Sequence, residues 1–367
     1  MVRLYTIKVG NPMFRRTLLL PCVVAASFSF SSPHLLAQQT SENAPLLKRA
    51  LQRYPDADTN HDGVLTQEEA LAYLAKLRKA KQQATQYEIA PTHAHVKYGP
   101  YERNVLDLWL AKRDDGKPTP LAIFIHGGGF VSGDKSKLSM STLRQYLAAG
   151  ISVAAINYRL LDSGPFPAPM LDGARAIQFL RYHADEYHLN KNRFACFGGS
   201  AGGCMSMWLA FHDDLADPKN PDPVLRESTR VTCAAPSAGQ SSVDMKTLAQ
   251  WFHCDKLQEH PSLRLFYGIK SLEELEKPEI VALIKEASPI SHLTADDPPI
   301  FASYSRADTA VDEKTPPGTW VHHPQFGIKL KEQMDRLHVE CHLQYQGGPA
   351  DSQYKGPVEF VIDKLNK

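Results

Sequence analysis

The chain has 367 residues, of which 41 are Lys or Arg and 40 are Asp or Glu, so its net charge is close to zero. This balance argues against a nucleic-acid-binding protein, which needs a basic surface to neutralise phosphates. The apolar content of 43% is ordinary for a globular protein, and the length suits one large domain with a smaller unit attached.

The first residues follow the pattern of an export signal. Basic residues, among them Arg15 and Arg16, precede an apolar stretch over 17–30, and a polar segment begins after Ala37. This pattern predicts a secretory signal peptide over 1–37. A retained N-terminal helix is the alternative, although the stretch is short for a bilayer span of about 20 residues. We therefore predict a secreted or periplasmic protein without a stable membrane span after signal removal.

Residues 41–85 are predicted to form a helix, a loop and a second helix. The loop, 58–69, follows the EF-hand calcium pattern, in which ligands occupy positions 1, 3, 5, 7, 9 and 12 and the sixth residue is Gly. The predicted ligands, in that order, are Asp58, Asn60, Asp62, Val64 through its carbonyl, Thr66 and Glu69. The alternative is an acidic loop that caps a helix. We predict a Ca²⁺ cofactor that stabilises the module and does not act as a switch.

From about residue 93, strands alternate with helices. Apolar runs predict strands at 94–98, 105–111, 121–126, 153–158, 193–197, 231–235, 299–304 and 339–346. Helical periodicity predicts helices at 142–149, 170–187, 201–212 and 326–337. This alternation is typical of an α/β fold with a mostly parallel sheet covered by helices on both faces. We interpret the stretch at about 237–286 as a cap-like insertion.

Two glycine-rich motifs point to the chemistry. The segment 198–202, GGSAG, joins a buried strand to a helix, the setting in which a Gly-x-Ser-x-Gly turn exposes a nucleophilic Ser200 above the sheet. The segment 126–129, HGGG, follows another buried strand and offers free backbone N–H groups to an oxyanion. Each motif alone also describes a simple turn, but together they favour a serine hydrolase.

These motifs resemble those of a known family. They are HGGGF at 126–130, NYRL at 157–160 and GGSAGG at 198–203. They look like the α/β-hydrolase esterases of the hormone-sensitive-lipase-like and feruloyl-esterase-like group, and the resemblance implies an α/β-hydrolase domain over about 93–367. It also implies Ser200 as nucleophile and His126 as a loop-shaping residue. The implied oxyanion hole consists of the N–H groups of Gly128, Gly129 and Ala201.

The resemblance implies a catalytic acid and a histidine later in the chain. The order serine, acid, histidine places the acid after the next-to-last strand, where Asp308 is the first choice and Asp312 the second. The histidine is expected after the last strand, yet no histidine lies between 346 and 367. A serine without a base is a poor nucleophile.

Another histidine must therefore serve if the protein is an enzyme. His322 and His323 precede the helix predicted at 326–337, which begins at the same sheet edge as Ser200. A helix N-terminus also keeps a histidine neutral and able to accept a proton. The alternative is a structural pair that packs on Trp320. The remaining candidates are His253 and His260 in the insertion, and His338 and His342, which we discount because they lie at the far edge of the sheet.

The leading hypothesis is an exported serine carboxylesterase that hydrolyses carboxylic esters through an acyl-enzyme on Ser200, with Asp308 and either His322 or His323. Its substrate would be a small-molecule or polysaccharide-linked ester, by analogy with the family. The alternative is a binding protein that keeps the hydrolase fold without a working base. A calcium-responsive switch is a third hypothesis.

Overall fold

The computed structural model describes residues 40–73 and 88–367. The chain divides into two compact units, Met1–Lys81 and Gln82–Lys367. The signal peptide predicted over 1–37 lies outside the described residues, as does the end of the second helix of the 41–85 module. Within the described ranges, no helix combines the length and apolar character needed to cross a bilayer.

The first unit contains the helix Pro45–Arg53, a 3-10 turn at Pro55–Ala57, the loop and a helical segment over 67–73. Leu65 in the loop is fully buried. Its main chain pairs with Ser41, whose N–H donates to the Leu65 carbonyl at 2.8 Å and whose Oγ accepts the Leu65 N–H at 2.9 Å. Ser41, which lies just before the first helix, therefore holds the main chain of the loop at Leu65.

The second unit is built on an eight-stranded sheet with the order β1-β2-β4-β3-β5-β6-β7-β8. The strands are β1 His93–Lys97, β2 Val105–Trp109, β3 Thr119–Ile125, β4 Ser152–Ile156, β5 Leu189–Gly199, β6 Cys233–Ser237, β7 Ile300–Ala307 and β8 Cys341–Gln346. β2 runs antiparallel to β1 and β4, and the other neighbours are parallel. The mostly parallel sheet predicted from the alternating pattern is confirmed.

Helices cover both faces of this sheet. Those described in the second unit are Met140–Ala148, Ala168–Tyr182, Ala201–Phe211, Met245–Phe252, Leu263–Tyr267, Pro278–Ala287, Pro317–Trp320, Gln325–Arg336 and Pro357–Asn366. Leu121 and Ile123 of β3 belong to the core formed with the helices 168–182 and 201–211, whereas Ala122 belongs to the core formed with 140–148 and 357–366. Burial on both faces explains the nearly continuous apolar runs of the central strands.

Three of these helices lie between β6 and β7, where the insertion was predicted at about 237–286. They are Met245–Phe252, Leu263–Tyr267 and Pro278–Ala287. Asp244 caps the first of them, because its carboxylate accepts the N–H groups of Lys246 and Thr247. Leu263 and Phe266 of the second helix pack into the main core of the unit. The insertion is thus fixed to the core of the second unit.

Candidate active site

Ser200 occupies a sharp turn between β5, which ends at Gly199, and the helix that begins at Ala201. Its φ of 54° and ψ of −120° lie where side-chain-bearing residues are strained, and its N–H donates to the Ser237 carbonyl at 2.8 Å. A Cβ at Gly198 or Gly202 would collide with the Ile125 carbonyl oxygen of β3. The motif therefore needs glycines because the turn presses against the neighbouring strand.

His322 lies beside this serine, with its Nε2 2.8 Å from Ser200 Oγ. Burial lowers the pKa of His322 below its ordinary value, a hydrogen bond with the Gly318 main chain opposes this shift, and the charge of Arg306 adds to it. A neutral ring at neutral pH can accept the serine proton at Nε2. This is the arrangement that a general base for Ser200 would need.

The neighbouring His323 lies elsewhere. It is 3% exposed, its Nε2–H donates to the Thr309 carbonyl at 2.9 Å, and its Nδ1 accepts the N–H of Gln325 at 3.1 Å. Asp308 Oδ1 is 3.7 Å from His323 Nε2, and among the described residues no ion pair joins Asp308 to His322. The predicted arrangement of serine, histidine and Asp308 is therefore divided between two histidines. Asp308 lies beside His323, whereas His322 lies beside Ser200.

The other candidate residues divide between the site and the outer strand. His260 of the insertion lines the cavity above Ser200, its Nδ1 accepts the Ser262 N–H at 3.2 Å, and burial lowers its pKa, with His322 adding to the effect. His342 lies in β8, with Asp351 2.6 Å from its Nδ1. His260 thus approaches the serine from above, whereas His342 ties a loop to the edge of the sheet.

The glycine loop after β3 has the backbone that only glycine adopts readily. Gly128 and Gly129 have φ values of 117° and 59°, and a Cβ at Gly128 would collide with the Ser132 carbonyl. Among the hydrogen bonds of the described residues, none is donated by the N–H groups of Gly128, Gly129 or Ala201. All three residues line the cavity around Ser200, and their N–H groups are available to an oxyanion.

His126 supports this loop from beneath. It is 1% exposed, it stacks on Tyr158 with ring centroids 4.2 Å apart, and Tyr158 Oη donates to the His126 carbonyl at 2.8 Å. Arg103 donates to His126 Nε2 at 3.2 Å, so Nδ1–H donates to the Gly127 carbonyl at 2.8 Å. Burial lowers the pKa of His126 to about 4. The ring is therefore neutral and fixed by contacts that hold the loop.

The cavity in front of Ser200 has a volume of about 570 Å³. Its wall is mainly apolar and comes from the glycine loop, the insertion and the segment around the short helix Pro317–Trp320. The apolar wall residues are Phe130, Val131, Val243, Met245, Leu248, Leu263, Phe266, Trp320, Val321 and Phe326. A cavity of this size and character fits the apolar part of a small organic substrate.

The loop 58–69 has the donor set of a cation site. Asp58 is 5% exposed, its Oδ2 accepts the Gly63 N–H at 2.9 Å, and its buried Oδ1 has no hydrogen-bond partner among the described residues. Gly63 has a φ of 83°. The Glu69 carboxylate turns back to the loop and accepts the Thr66 hydroxyl at 2.8 Å. An unpaired buried carboxylate oxygen is a suitable ligand for a bound cation. Because the loop offers oxygen donors, the cation that fits it best is Ca²⁺.

Two residues that act on His322, Gly318 and Arg306, were not predicted from the sequence. The Gly318 carbonyl bonds His322, and Arg306 at the end of β7 acts on the same ring. A main-chain acceptor has no residue-type signature, so no signal in the sequence could have identified it. Asp308 was predicted from its place after the next-to-last strand, whereas the nearby Arg306 is the residue whose charge acts on His322.

Curated relatives of the chain are hydrolases by name. It is 28% identical over 220 residues to the probable carboxylic ester hydrolase LipM of Mycobacterium tuberculosis, which covers 59% of this chain and 48% of the relative. It is 27% identical over 272 residues to the probable isoprenylcysteine alpha-carbonyl methylesterase ICMEL1 of Arabidopsis thaliana, which covers 73% of this chain and 55% of the relative. The chain spans about half the length of these relatives.

Solved structures share the fold. An acetyl ester-xyloside bifunctional hydrolase from Caldicellulosiruptor lactoaceticus matches with a TM-score of 0.57 at 20% identity, over 76% of this chain and 98% of its own. A truncated carbohydrate esterase from gut microbiota matches with the same TM-score of 0.57 and 20% identity, over 76% of this chain and 100% of its own. The predicted α/β-hydrolase fold is confirmed.

The family is shown by a match that begins in β2. The BD-FAE family matches residues 106–316, more than half of the chain. The matched region contains Ser200, the glycine loop and the insertion, and it stops six residues before His322. The chain belongs to the BD-FAE family of α/β-hydrolases.

Proposed function

We propose that the protein is a serine carboxylesterase in which Ser200 and His322 act as a nucleophile–base pair. The observation that carries this proposal is the 2.8 Å contact between Ser200 Oγ and His322 Nε2. This contact supports His322 as the base, for which the sequence has no histidine after the last strand. The names of the curated relatives support the same reaction class.

The reaction would proceed by acyl transfer. Ser200 Oγ attacks the ester carbonyl carbon while His322 Nε2 takes the hydroxyl proton, and the N–H groups of Gly128, Gly129 and Ala201 hold the oxyanion. The C–O bond to the alcohol then breaks, and His322 returns the proton to the leaving oxygen. A water molecule, deprotonated by the same ring, then attacks the acyl carbon. The bond from that carbon to Ser200 Oγ breaks, His322 returns the proton to Ser200 Oγ, and the carboxylic acid leaves.

This pair would work with a main-chain acceptor in place of the usual carboxylate. The Gly318 carbonyl would keep Nδ1 protonated, so that Nε2 faces the serine with its lone pair. A carbonyl carries only a partial charge, and Arg306 lowers the pKa of His322 further. The imidazolium that forms during attack would gain less stabilisation than in a triad, and we expect a modest kcat.

The cavity favours an apolar acyl group. Its wall residues are aliphatic and aromatic, and its volume of about 570 Å³ exceeds what an acetyl group needs. Polar side chains are confined to few places, including His260 and Ser262 near Gly129. We propose that the acyl chain occupies the apolar wall and that the alcohol part, small or polysaccharide-linked, extends from the cavity.

We also propose that the 58–69 loop binds one Ca²⁺ and that the protein is exported. The buried, unpartnered Asp58 Oδ1 and the Gly63 turn support the calcium site. Asp58, Asn60, Asp62, Val64, Thr66 and Glu69 would provide the ligands. The ion would stabilise its own unit, because neutralising the clustered carboxylates favours the folded loop. Export rests on the charge and apolar pattern of the first 37 residues.

The esterase proposal is tested by rapid mixing with p-nitrophenyl acetate. A p-nitrophenol burst of about one equivalent, or steady turnover that Ser200→Ala abolishes, is the expected result. Turnover no greater than that of Ser200→Ala across a series of acyl lengths would overturn it and would favour the alternative of a binding protein. The close Ser200–His322 contact gives the esterase precedence, because a binding role does not require it.

A further inference from the structure

Three potential metal ligands meet away from the serine, where the helix Ala201–Phe211 ends. Within residues 40–73 and 88–367, His212, Glu286 and His292 are the group that brings one ligand atom each to within 4.8 Å of one another. His212 follows the last residue of that helix, Glu286 lies at the end of Pro278–Ala287, and His292 follows the turn Pro289–Ser291.

The hydrogen bonds of His212 leave it suited to a cation. Its Nδ1 lies 2.8 Å from the Asp213 carbonyl, which can only accept, so Nδ1 carries the proton. Its Nε2 lies 2.9 Å from Glu286 Oε1. In a neutral ring, two acceptors would face each other at that distance, and a cation between them removes the repulsion. A histidine whose second nitrogen is tied to a main-chain carbonyl is also the usual form of a metal ligand.

His292 can supply the third donor. Its Nε2 lies 2.7 Å from the main-chain oxygen of Glu286 and 4.0 Å from Glu286 Oε2. The Trp208 indole N–H donates to the same main-chain oxygen at 2.9 Å. This oxygen therefore keeps a donor when His292 turns its Nε2 toward a metal. The ligand atoms, which now lie within 4.8 Å of one another, would approach by up to about 1.5 Å, since neighbouring ligands of a tetrahedral zinc ion lie roughly 3.3 Å apart.

Access and chemistry agree with a bound ion. The His212 and His292 side chains are 15% and 16% exposed, whereas the Glu286 side chain is 46% exposed and borders solvent. Two imidazoles and one carboxylate select zinc-class divalent ions over Ca²⁺ and Mg²⁺, which prefer oxygen donors alone. A water molecule would complete the tetrahedron.

We propose that His212, Glu286 and His292 form a site for a zinc-class divalent metal ion. The ion would join the end of the helix Ala201–Phe211 to the segment that returns from the insertion to the sheet. Its role is structural, because it cross-links two parts of the chain that are 74 residues apart between His212 and Glu286. The proposal does not depend on esterase activity.

The test uses untagged full-length protein in excess calcium, titrated with Zn²⁺ for melting and with Co²⁺ for visible absorption. We expect one Co²⁺ per chain with a tetrahedral spectrum, and a rise of about 5 °C in Tm at a hundredfold excess of Zn²⁺ over Kd. His292→Gln and Glu286→Gln should each weaken binding at least tenfold. His183→Gln is the matched control, because His183 also pairs with a carboxylate, Glu186 at 2.7 Å, outside the three-residue group.

Other outcomes would overturn the proposal. One is that the wild-type chain shows no tetrahedral Co²⁺ spectrum. Another is that the spectrum and the Tm shift persist in both His292→Gln and Glu286→Gln. The same holds if His183→Gln weakens binding as much as the site variants do. The rival explanation of the short His212–Glu286 contact is a proton on His212 Nε2. Under that explanation, neither Zn²⁺ nor Co²⁺ binds to the site. Far-UV circular dichroism establishes that each variant is folded, and His292→Gln is informative even if a change at His212 prevents folding.

Discussion

The change Asp308→Asn separates a serine–histidine pair from a full triad. In a triad, the carboxylate stands behind the base, and its conversion to an amide lowers kcat by about 10⁴. Here Asp308 Oδ1 is 3.7 Å from His323 Nε2, and His322 is the ring that contacts Ser200. We predict that Asp308→Asn changes esterase activity little.

The size of the expected effect follows from the exposure of the pair. The Asp308 side chain is 49% exposed, and an ion pair of this kind contributes about 0–1 kcal/mol. Even if the whole contribution were lost from the transition state, kcat/KM would fall by about fivefold at most. A second effect could come through His323, which begins the helix Gln325–Arg336 by accepting the Gln325 N–H. Removal of one exposed carboxylate leaves that hydrogen bond in place.

The assay compares kcat/KM for a p-nitrophenyl ester in the wild type, Asp308→Asn and Asp312→Asn. Asp312→Asn is the matched control, because its carboxylate lies in the same loop and accepts the Lys314 N–H and the Thr315 hydroxyl. We expect both variants within about fivefold of the wild type. A loss of a thousandfold or more in Asp308→Asn alone, with a wild-type melting temperature, would refute the reasoning and restore Asp308 as the catalytic acid.

Three further predictions follow from the site and the calcium loop. The lowered pKa of His322 should place the acid limb of kcat/KM below about pH 6.5, because the base must be neutral, and Arg306→Gln should move it upward; a limb above pH 7 would contradict this. Esters of butyrate should exceed acetate in kcat/KM by about fourfold per CH₂ buried in the apolar cavity, and equal rates would count against that assignment. Calorimetry should find one Ca²⁺ whose affinity falls at least tenfold in Asp58→Asn and Glu69→Gln, while chelators leave kcat unchanged; a wild type without calcium binding would reject the site.

The fold was readable because its signals are local. Parallel strands buried on both faces leave continuous apolar runs, and the predicted strands match β1–β8 to within a few residues at most ends. The helix predicted over 170–187 ends instead at Tyr182. Buried Ala184 and Tyr187 continue the apolar pattern after the helix has stopped, so periodicity alone could not place the boundary. The helix Pro357–Asn366 was not predicted.

The site was only partly readable, because part of it depends on side-chain direction. Ser200 could be identified from the sequence because the close Ile125 carbonyl requires glycine at two positions around it. His322 reaches the serine across 122 residues of chain, and nothing local distinguishes it from His323. The two rings point to different places because His323 bonds the Thr309 carbonyl and the Gln325 N–H. These are tertiary contacts, which the local sequence does not reveal. Asp308 occupies the place in the chain order expected of the acid, but it lies beside His323 and not beside His322.

The Ser200–His322 pair is tested most directly by the kcat/KM of His322→Ala, Ser200→Ala and the double variant with one p-nitrophenyl ester. If the pair acts as a unit, His322→Ala loses about a hundredfold to ten-thousandfold, and the double variant is no slower than Ser200→Ala. If His322→Ala keeps activity within tenfold of the wild type while Ser200→Ala is inactive, the base lies elsewhere and the proposed mechanism is wrong.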